Sequence, residues 1–393
     1  MDPVSIGIVG GSLGGLTTAC LLRDAGHDVT IWERSPHQLE QRGAGIGFLE
    51  ATYRYLVERT DVALDDVSIT TDHIRYLHRD GSIAHDSDHR YLFSSWNAVY
   101  RQLMNHWGTE RYLLAHDMTS FEQNDDRVVV HFGDQPSAEV DLLVCADGVG
   151  STGRAALQPQ ADQGYAGYVA WRGMVPEADL PPAVAARFVD AITYYVYANS
   201  HILVYPIPGI DGSVEPGDRL INFVWYRNYS PGGEFTDLMT DRNGRLRDLS
   251  LPPGTVSAHH DAEVRAHAAA RLPGPIAQVV ESVQDLFVQV VYDIEVEQMS
   301  FGRVCLLGDS AFAVRPHAAA GTAKAAEDGW VLASCLDRAS SVPEALADWQ
   351  VSQLKLGKQL LDRTRDIGRR SQIDNLWTPG DPDSIFGLHE PGN

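Results

Sequence analysis

Ser5-Ile6-Gly7-Ile8-Val9-Gly10-Gly11-Ser12-Leu13-Gly14-Gly15 is an apolar, β-rich run that breaks into a glycine-rich turn. Leu16 to Ala25 then reads as a helix closed by Gly26, and Val29 to Trp32 as a second strand. Strand, turn, helix and strand in so short a space form a βαβ unit. Parallel pairing follows, and it puts the turn at the carboxyl end of the first strand, where open α/β sheets bind ligands. Gly10 permits the tight turn, Gly15 lets the helix pack close to the strand, and free N–H groups at the helix start can hold a pyrophosphate. Ser12 stands where G-x-G-x-x-G has its middle glycine and is small enough to be tolerated. Glu33 closes the second strand about twenty residues on, where a carboxylate accepts hydrogen bonds from an adenosine ribose.

The same residues also spell G-x-S-x-G, which would make Ser12 the nucleophile of a serine hydrolase. Such an elbow normally follows several strands. Here it follows the first strand read in the chain, and Glu33 has no place in a hydrolase, so the dinucleotide reading is preferred.

The rest of the 393 residues narrows the class. A hydrophobic content of 44%, a charged content of 21% and no apolar run long enough to span a bilayer are those of a globular α/β protein. The formal net charge of −22 disfavours nucleic acid and acidic membrane surfaces as partners. Cys20, Cys145, Cys305 and Cys335 are widely spaced and read as buried thiols. With no signal-peptide pattern at the N-terminus, a cytoplasmic location is expected. His259-His260 and the pair His85 and His89 lack supporting ligands, so no metal is expected. The oligomeric state stays open, a homodimer among the options.

Beyond Ala51 the text reads as a helix near 53–60, a hairpin at 73–84, a helix around 97–107, and strands at 128–132 and 140–145. From Tyr165 to Tyr229 β-branched and aromatic runs take over, the mark of a sheet-based second lobe. Helices at 261–271 and 276–283 and strands near 287–293 and 304–307 follow. Pro343 opens a long helix in which Leu346, Trp349, Leu356 and Leu360 share one face. The expected division is a discontinuous Rossmann-like domain of residues 1–72, 95–160 and 295–340, a sheet domain of 73–94 and 161–294, and a helix with an extended tail over 341–393.

Two more motifs close apolar strands: Cys145-Ala146-Asp147-Gly148 with Ser151 and Arg154, and Gly308-Asp309-Ser310-Ala311 with Pro316 and Gly321. On physical grounds Asp309 suits sugar-like hydroxyls, and an Asx-turn is the equal alternative. In this order the three motifs resemble the class A FAD-dependent aromatic monooxygenases of the p-hydroxybenzoate hydroxylase type. Tyr168-Val169-Ala170-Trp171-Arg172-Gly173, Tyr205-Pro206-Ile207-Pro208-Gly209, Arg315-Pro316-His317-Ala318-Ala319-Ala320-Gly321, and Pro379-Gly380 through Phe386-Gly387-Leu388 are similar to the 2,6-dihydroxypyridine 3-hydroxylase branch.

The resemblance implies a GR2-type FAD-binding domain. In it Gly10, Ser12, Leu13 and Gly15 hold the FAD pyrophosphate, Glu33 the ribose, and Arg34 lies near the adenine. Arg42 and Arg101 fall where the family has arginines against the pyrophosphate and ribityl chain. Asp309 binds ribityl hydroxyls, and Gly321 and Thr322 present N–H groups to the isoalloxazine. Asp147 and Arg154 belong to a motif serving both flavin and nicotinamide. Phe312 departs from relatives that carry His there, which puts the substrate pocket in question.

The chemistry so implied is hydride transfer from NADH or NADPH to FAD, then reaction with O2 to a C4a-hydroperoxide that hydroxylates an electron-rich ring. The ring is a hydroxypyridine by branch resemblance, with a phenolic or natural-product ring as the alternative. His317 is the candidate catalytic base, against a structural histidine as the equal reading. Pro316, Tyr205, Trp225 and Tyr226 are candidates for the substrate pocket, although alternation along a strand forbids Trp225 and Tyr226 from facing it together. Arg172 reads as a substrate or nicotinamide contact, with a structural salt bridge as the safer expectation.

Overall fold

The computed structural model describes residues 1–40, 44–161 and 163–389. Strand Ser5–Val9, helix Leu13–Asp24 and strand Asp28–Trp32 form the expected βαβ unit. They belong to a six-stranded sheet whose spatial order is 300–301, 304–306, 142–145, 5–9, 28–32, 112–113. All of its pairings are parallel except that of the edge strand Ser300–Phe301. Val9 sits opposite Cys145, and Cys145 opposite Leu306. Three strands distant in the chain therefore end in register, and the turns that follow them, at Gly10, Ala146 and Leu307, share one rim.

Small residues bring two helices to that rim. A Cβ on Gly15 would lie 2.0 Å from the Gly10 carbonyl oxygen, so the first helix sits tightly on its own strand. A Cβ on Gly329 would lie 2.5 Å from Thr18 Oγ1, which measures how closely helix Gly321–Arg338 packs on the first helix. Bulkier side chains at either place would push a helix start away from the rim.

A nine-stranded sheet forms the second lobe, in the order 250–251, 287–294, 163–176, 220–228, 200–207, 191–197, 69–77, 83–95, 45–47. Its side chains alternate as a pleat requires. Ile221, Phe223 and Trp225 join the core under helices Ala258–Arg271 and Gly274–Ser282, whereas Val224 and Tyr226 join the opposite face with Tyr168, Leu203 and Tyr205. The hairpin runs from Ile69 to Ser95, longer than the 73–84 expected. Its second strand is lined with exposed and half-exposed polar residues, which hide the period-two signal. The expected boundary at 72/73 thus falls inside a strand, and Gly45–Gly47 joins this second sheet.

The helix Val342–Gln372 closes the molecule, with Pro343 in its first turn and Leu346, Trp349, Leu356 and Leu360 all buried. Trp349 Nε1 donates to the Asp328 carbonyl at 2.8 Å, tying this helix to helix 321–338. The Phe312 ring fills the space over Gly357, so this departure from relatives lies in the core. Among the described residues no helix is long and apolar enough to cross a membrane, and no cluster of three potential metal ligands occurs.

Candidate active site

The shared rim opens into two cavities of about 390 and 200 Å³, both lined by Ser12, Ala146 and Gly148. Together they form an elongated cleft running from the edge of the first sheet to the face of the second.

The smaller cavity is lined by Gly10, Glu33, Arg34 and Asp147, among others. Glu33 is buried, and its carboxylate accepts the Gly11 N–H at 2.9 Å and the Ser35 N–H at 2.9 Å. These bonds hold the acid against the turn, where it lines the smaller cavity. Asp147 Oδ2 accepts from Gly153 N–H at 3.2 Å, while Oδ1 is buried without a partner. Burial raises this carboxyl above its usual range, with bonds from Ser151 and nearby backbone opposing. Arg154 donates to the Ser310 carbonyl at 3.1 Å, and Ser310 Oγ to the Cys145 carbonyl at 2.7 Å, so the second and third motifs are laced together.

In the larger cavity, Ser12, Leu13 and Gly15 meet Asp309, Gly321 and Thr322. The helices starting at Leu13 and Gly321 both lack a side-chain cap, whereas the helices starting at Trp96, Ala258 and Val342 are capped by Ser95, Ser257 and Ser341. Two helix starts without a side-chain cap, each at the positive end of its helix, therefore border one cleft. The Gly308 N–H donates to Asp328 Oδ2 at 2.8 Å, and that carboxylate is paired with buried Lys324 at 2.7 Å. This pair fixes the turn that presents Asp309. Asp309 is open to the cavity but shielded from bulk water, which raises its carboxyl, with Lys324 and Arg154 opposing.

The far end of the cavity is walled by Ala170, Leu203, Tyr205, Val224 and Tyr226 from the large sheet, with Pro316 and Phe386 opposite. Arg172 is the one cation among the described lining residues. It donates from Nη1 to Gln289 Oε1 and from Nη2 to the Gly45 carbonyl, both at 2.7 Å, and its Nε is buried without a partner. Among the described residues no carboxylate pairs with it, so the structural salt bridge expected there is not formed.

Other expectations are placed elsewhere. Trp225 points into the opposite core and donates from Nε1 to Ser200 Oγ at 3.0 Å, because the helices over 258–282 cover its face of the sheet. His317 is buried behind Tyr226, with ring centroids 4.6 Å apart, and does not line the cavity. Its Nε2 bonds Tyr168 Oη at 2.7 Å, and burial pushes it well below the usual histidine range. It belongs to a packed cluster with His201 and Tyr168. Arg101 donates to the Ile210 carbonyl at 2.8 Å and lines neither cavity. Arg42 lies outside the described residues. Arg172, read from the sequence as a substrate or nicotinamide contact, lines the cavity, whereas Phe386 as a wall was not singled out by the motifs.

The residues fit FAD. A Cβ on Gly321 would meet nothing within 4 Å and would project into open space beside an uncapped helix start, leaving room for a flat ring against the backbone. At the other end, the unpartnered Asp147 Oδ1 is an acceptor in reach of the smaller cavity. A dinucleotide cleft that runs on into a ring-walled chamber defines a flavoprotein that oxidises small molecules.

Comparisons with known proteins narrow the class. Residues 8–38 match an NAD(P)-binding Rossmann-like domain, and residues 165–293 an FAD binding domain-like family. The chain is 34% identical to 2,6-dihydroxypyridine 3-monooxygenase of Paenarthrobacter nicotinovorans, covering 99% of this chain and 97% of that one. It is 26% identical to 6-hydroxynicotinate 3-monooxygenase of Pseudomonas fluorescens, over 97% and 94%. The solved 2,6-dihydroxypyridine-3-hydroxylase from Arthrobacter nicotinovorans superposes with a TM-score of 0.94 at 33% identity, covering 99% of both chains. The chain belongs to the FAD-dependent aromatic monooxygenases, enzymes that use FAD, NAD(P)H and dioxygen.

Proposed function

We propose that the enzyme hydroxylates a monocyclic hydroxypyridine, bound as its anion with the ionised ring oxygen at Arg172. The carrying observation is that cation: a guanidinium, held by Gln289 and the Gly45 carbonyl, that lines a mainly apolar and aromatic chamber next to the cofactor cleft. An adjacent positive charge favours the ionised form of a ring hydroxyl. The ionised ring is also the more nucleophilic one. The relatives that act on dihydroxypyridine and hydroxynicotinate support a ring of this class.

When bound, FAD supplies the redox chemistry, taking a hydride equivalent from NAD(P)H and using dioxygen to deliver one oxygen atom. The chain's own residues position and exclude. Gly10, Ser12, Leu13 and Gly15 offer backbone to the pyrophosphate, Glu33 and Arg34 take the adenosine end, and Asp147 serves the rim between. Asp309 accepts from ribityl hydroxyls, and the N–H groups of Gly321 and Thr322 border the flavin. Tyr205, Tyr226 and Pro316 flatten the chamber around the ring and keep out water. The residues around the six-stranded sheet form the FAD-binding part, and the nine-stranded sheet the substrate-binding part.

Titrating FAD-loaded enzyme with hydroxypyridines and phenols, read by the change in flavin absorbance, tests this proposal. Hydroxypyridine anions are expected to bind in the micromolar range typical of enzyme substrates, about 1 μM to 1 mM. Saturable binding of phenols alone would replace the ring class.

A further inference from the structure

Residues 377–389 contain a single helical turn, Pro382–Ser384, yet Phe386, Gly387 and Leu388 are buried. The segment is held by bonds from outside itself. Arg363, on the long helix, donates to the Gly387 carbonyl at 2.7 Å, to the Asp383 carbonyl at 3.3 Å, and to the Ile385 carbonyl. No carboxylate pairs with Arg363 among the described residues, so its donors are spent on this segment. Trp377 Nε1 donates to Tyr76 Oη at 3.2 Å, and Arg370 pairs with Asp381. The Phe386 N–H donates to Tyr91 Oη at 2.9 Å, and the Gly387 N–H to the Ala318 carbonyl at 3.1 Å. That last bond reaches the loop carrying Ala319, a non-glycine residue at φ 53°, and Gly321.

All of this fixes one ring. Phe386 lines the larger cavity, with its centroid 4.9 Å from Tyr91 and 6.3 Å edge-on to Phe93. Phe93 in turn stacks on Tyr205, another cavity wall, at 4.3 Å. Retreat is blocked where Gly47 meets both Ala319 and Phe386: a Cβ on Gly47 would lie 2.6 Å from Ala319 Cβ and 3.5 Å from Phe386 Cδ2.

We infer that Phe386 sets the size of ring the chamber accepts, with residues 377–389 as the strap that mounts it and Arg363 as its positioning residue. The inference rests on the proposed substrate only for the ring's chemical class. Removing the benzyl group extends the chamber toward Tyr91 and Phe93, which makes space for a second fused ring.

The test compares holoenzymes of the parent, Phe386→Ala, Phe386→Leu, Arg363→Met and Arg363→Lys. Affinities for a monocyclic hydroxypyridine and a bicyclic hydroxyquinoline are read from flavin absorbance, and FAD affinity from flavin fluorescence. Phe386→Ala is expected to shift the affinity ratio toward the bicycle by roughly tenfold or more, as pocket-filling groups do. Phe386→Leu gives a smaller shift, and FAD affinity is unchanged in both. Arg363→Met shifts the ratio in the same direction and exposes the strap to limited proteolysis, and Arg363→Lys restores part of each. An unchanged ratio in both Phe386 variants, or a loss of ring binding that merely follows loss of FAD, overturns the inference. If hydroxypyridine fails to bind the parent but a phenol-to-naphthol ratio shifts in Phe386→Ala, the strap stands and the substrate class falls.

Discussion

Glu33 Oε2 accepts the backbone N–H of Gly11 at 2.9 Å, so the acid that closes the second strand also braces the glycine turn. Glu33→Gln keeps one acceptor and the side chain's shape but loses the charge. Its FAD affinity is expected to fall roughly 10- to 100-fold, the range for a hydrogen bond to a charged group, about 1.5–3 kcal/mol. Glu33→Ala also takes its acceptor away from the buried Gly11 N–H, and its melting temperature should fall even without FAD. Fluorescence titration and thermal melts of the apo proteins check both.

Gly15 and Gly321 separate packing from cofactor contact. Gly15→Ala forces a Cβ against the Gly10 carbonyl and is expected to destabilise the apo protein by roughly 1–3 kcal/mol. A Cβ at Gly321 meets only open space, so Gly321→Ala should leave the apo protein at least as stable, since alanine favours a helix by up to about 1 kcal/mol. Its FAD affinity should nonetheless drop. Denaturant unfolding without FAD, set beside FAD titration, distinguishes the two outcomes.

Arg172→Gln removes the chamber's cation while retaining a donor. Ring affinity is expected to weaken roughly 10- to 100-fold, equivalent to about 1.5–3 kcal/mol. The loss should be greatest above the ring hydroxyl's pKa, where the anion dominates, and FAD affinity should not change. Flavin absorbance titrations across pH read both.

His201 supplies a pH test of the cluster behind Tyr226. Its Nδ1 bonds Gln372 at 2.9 Å, and burial pushes its pKa from 6.5 to about 3. Above 6.5 neither the folded nor the unfolded state protonates it, and its contribution is complete. As pH falls from 6.5 toward 3, only the unfolded chain takes up the proton, so stability is lost at roughly 1.4 kcal/mol per pH unit. His201→Asn cannot titrate, so its stability should fall less steeply between pH 6 and 4, and parallel curves for the two proteins would refute the assignment.

The βαβ unit and the two later motifs were legible because each is a local pattern of strand, glycine and acid. Their meeting at one rim was not, since it depends on the register that sets Val9 beside Cys145 and Cys145 beside Leu306. Alternation showed that Trp225 and Tyr226 face opposite ways, but which one faces the chamber is decided by the helices over 258–282. His317 could not be placed because Pro316–Ala318 is a lone helical turn with no period to read; it leaves Pro316 at the cavity and turns His317 inward. Arg172 looked like half of an ion pair because a strand cation usually finds a carboxylate, and only the structure shows that Gln289, the Gly45 carbonyl and Tyr205 are among its partners.

The most direct measurement of the central claim is turnover of 2,6-dihydroxypyridine by FAD-loaded enzyme with NAD(P)H under isotopically labelled dioxygen. NAD(P)H consumption and product mass are followed together. The account predicts ring-stimulated oxidation and a product carrying one labelled oxygen atom for each nicotinamide oxidised. Oxidation that yields only peroxide, or no stimulation by any hydroxypyridine, would contradict the proposed substrate chamber.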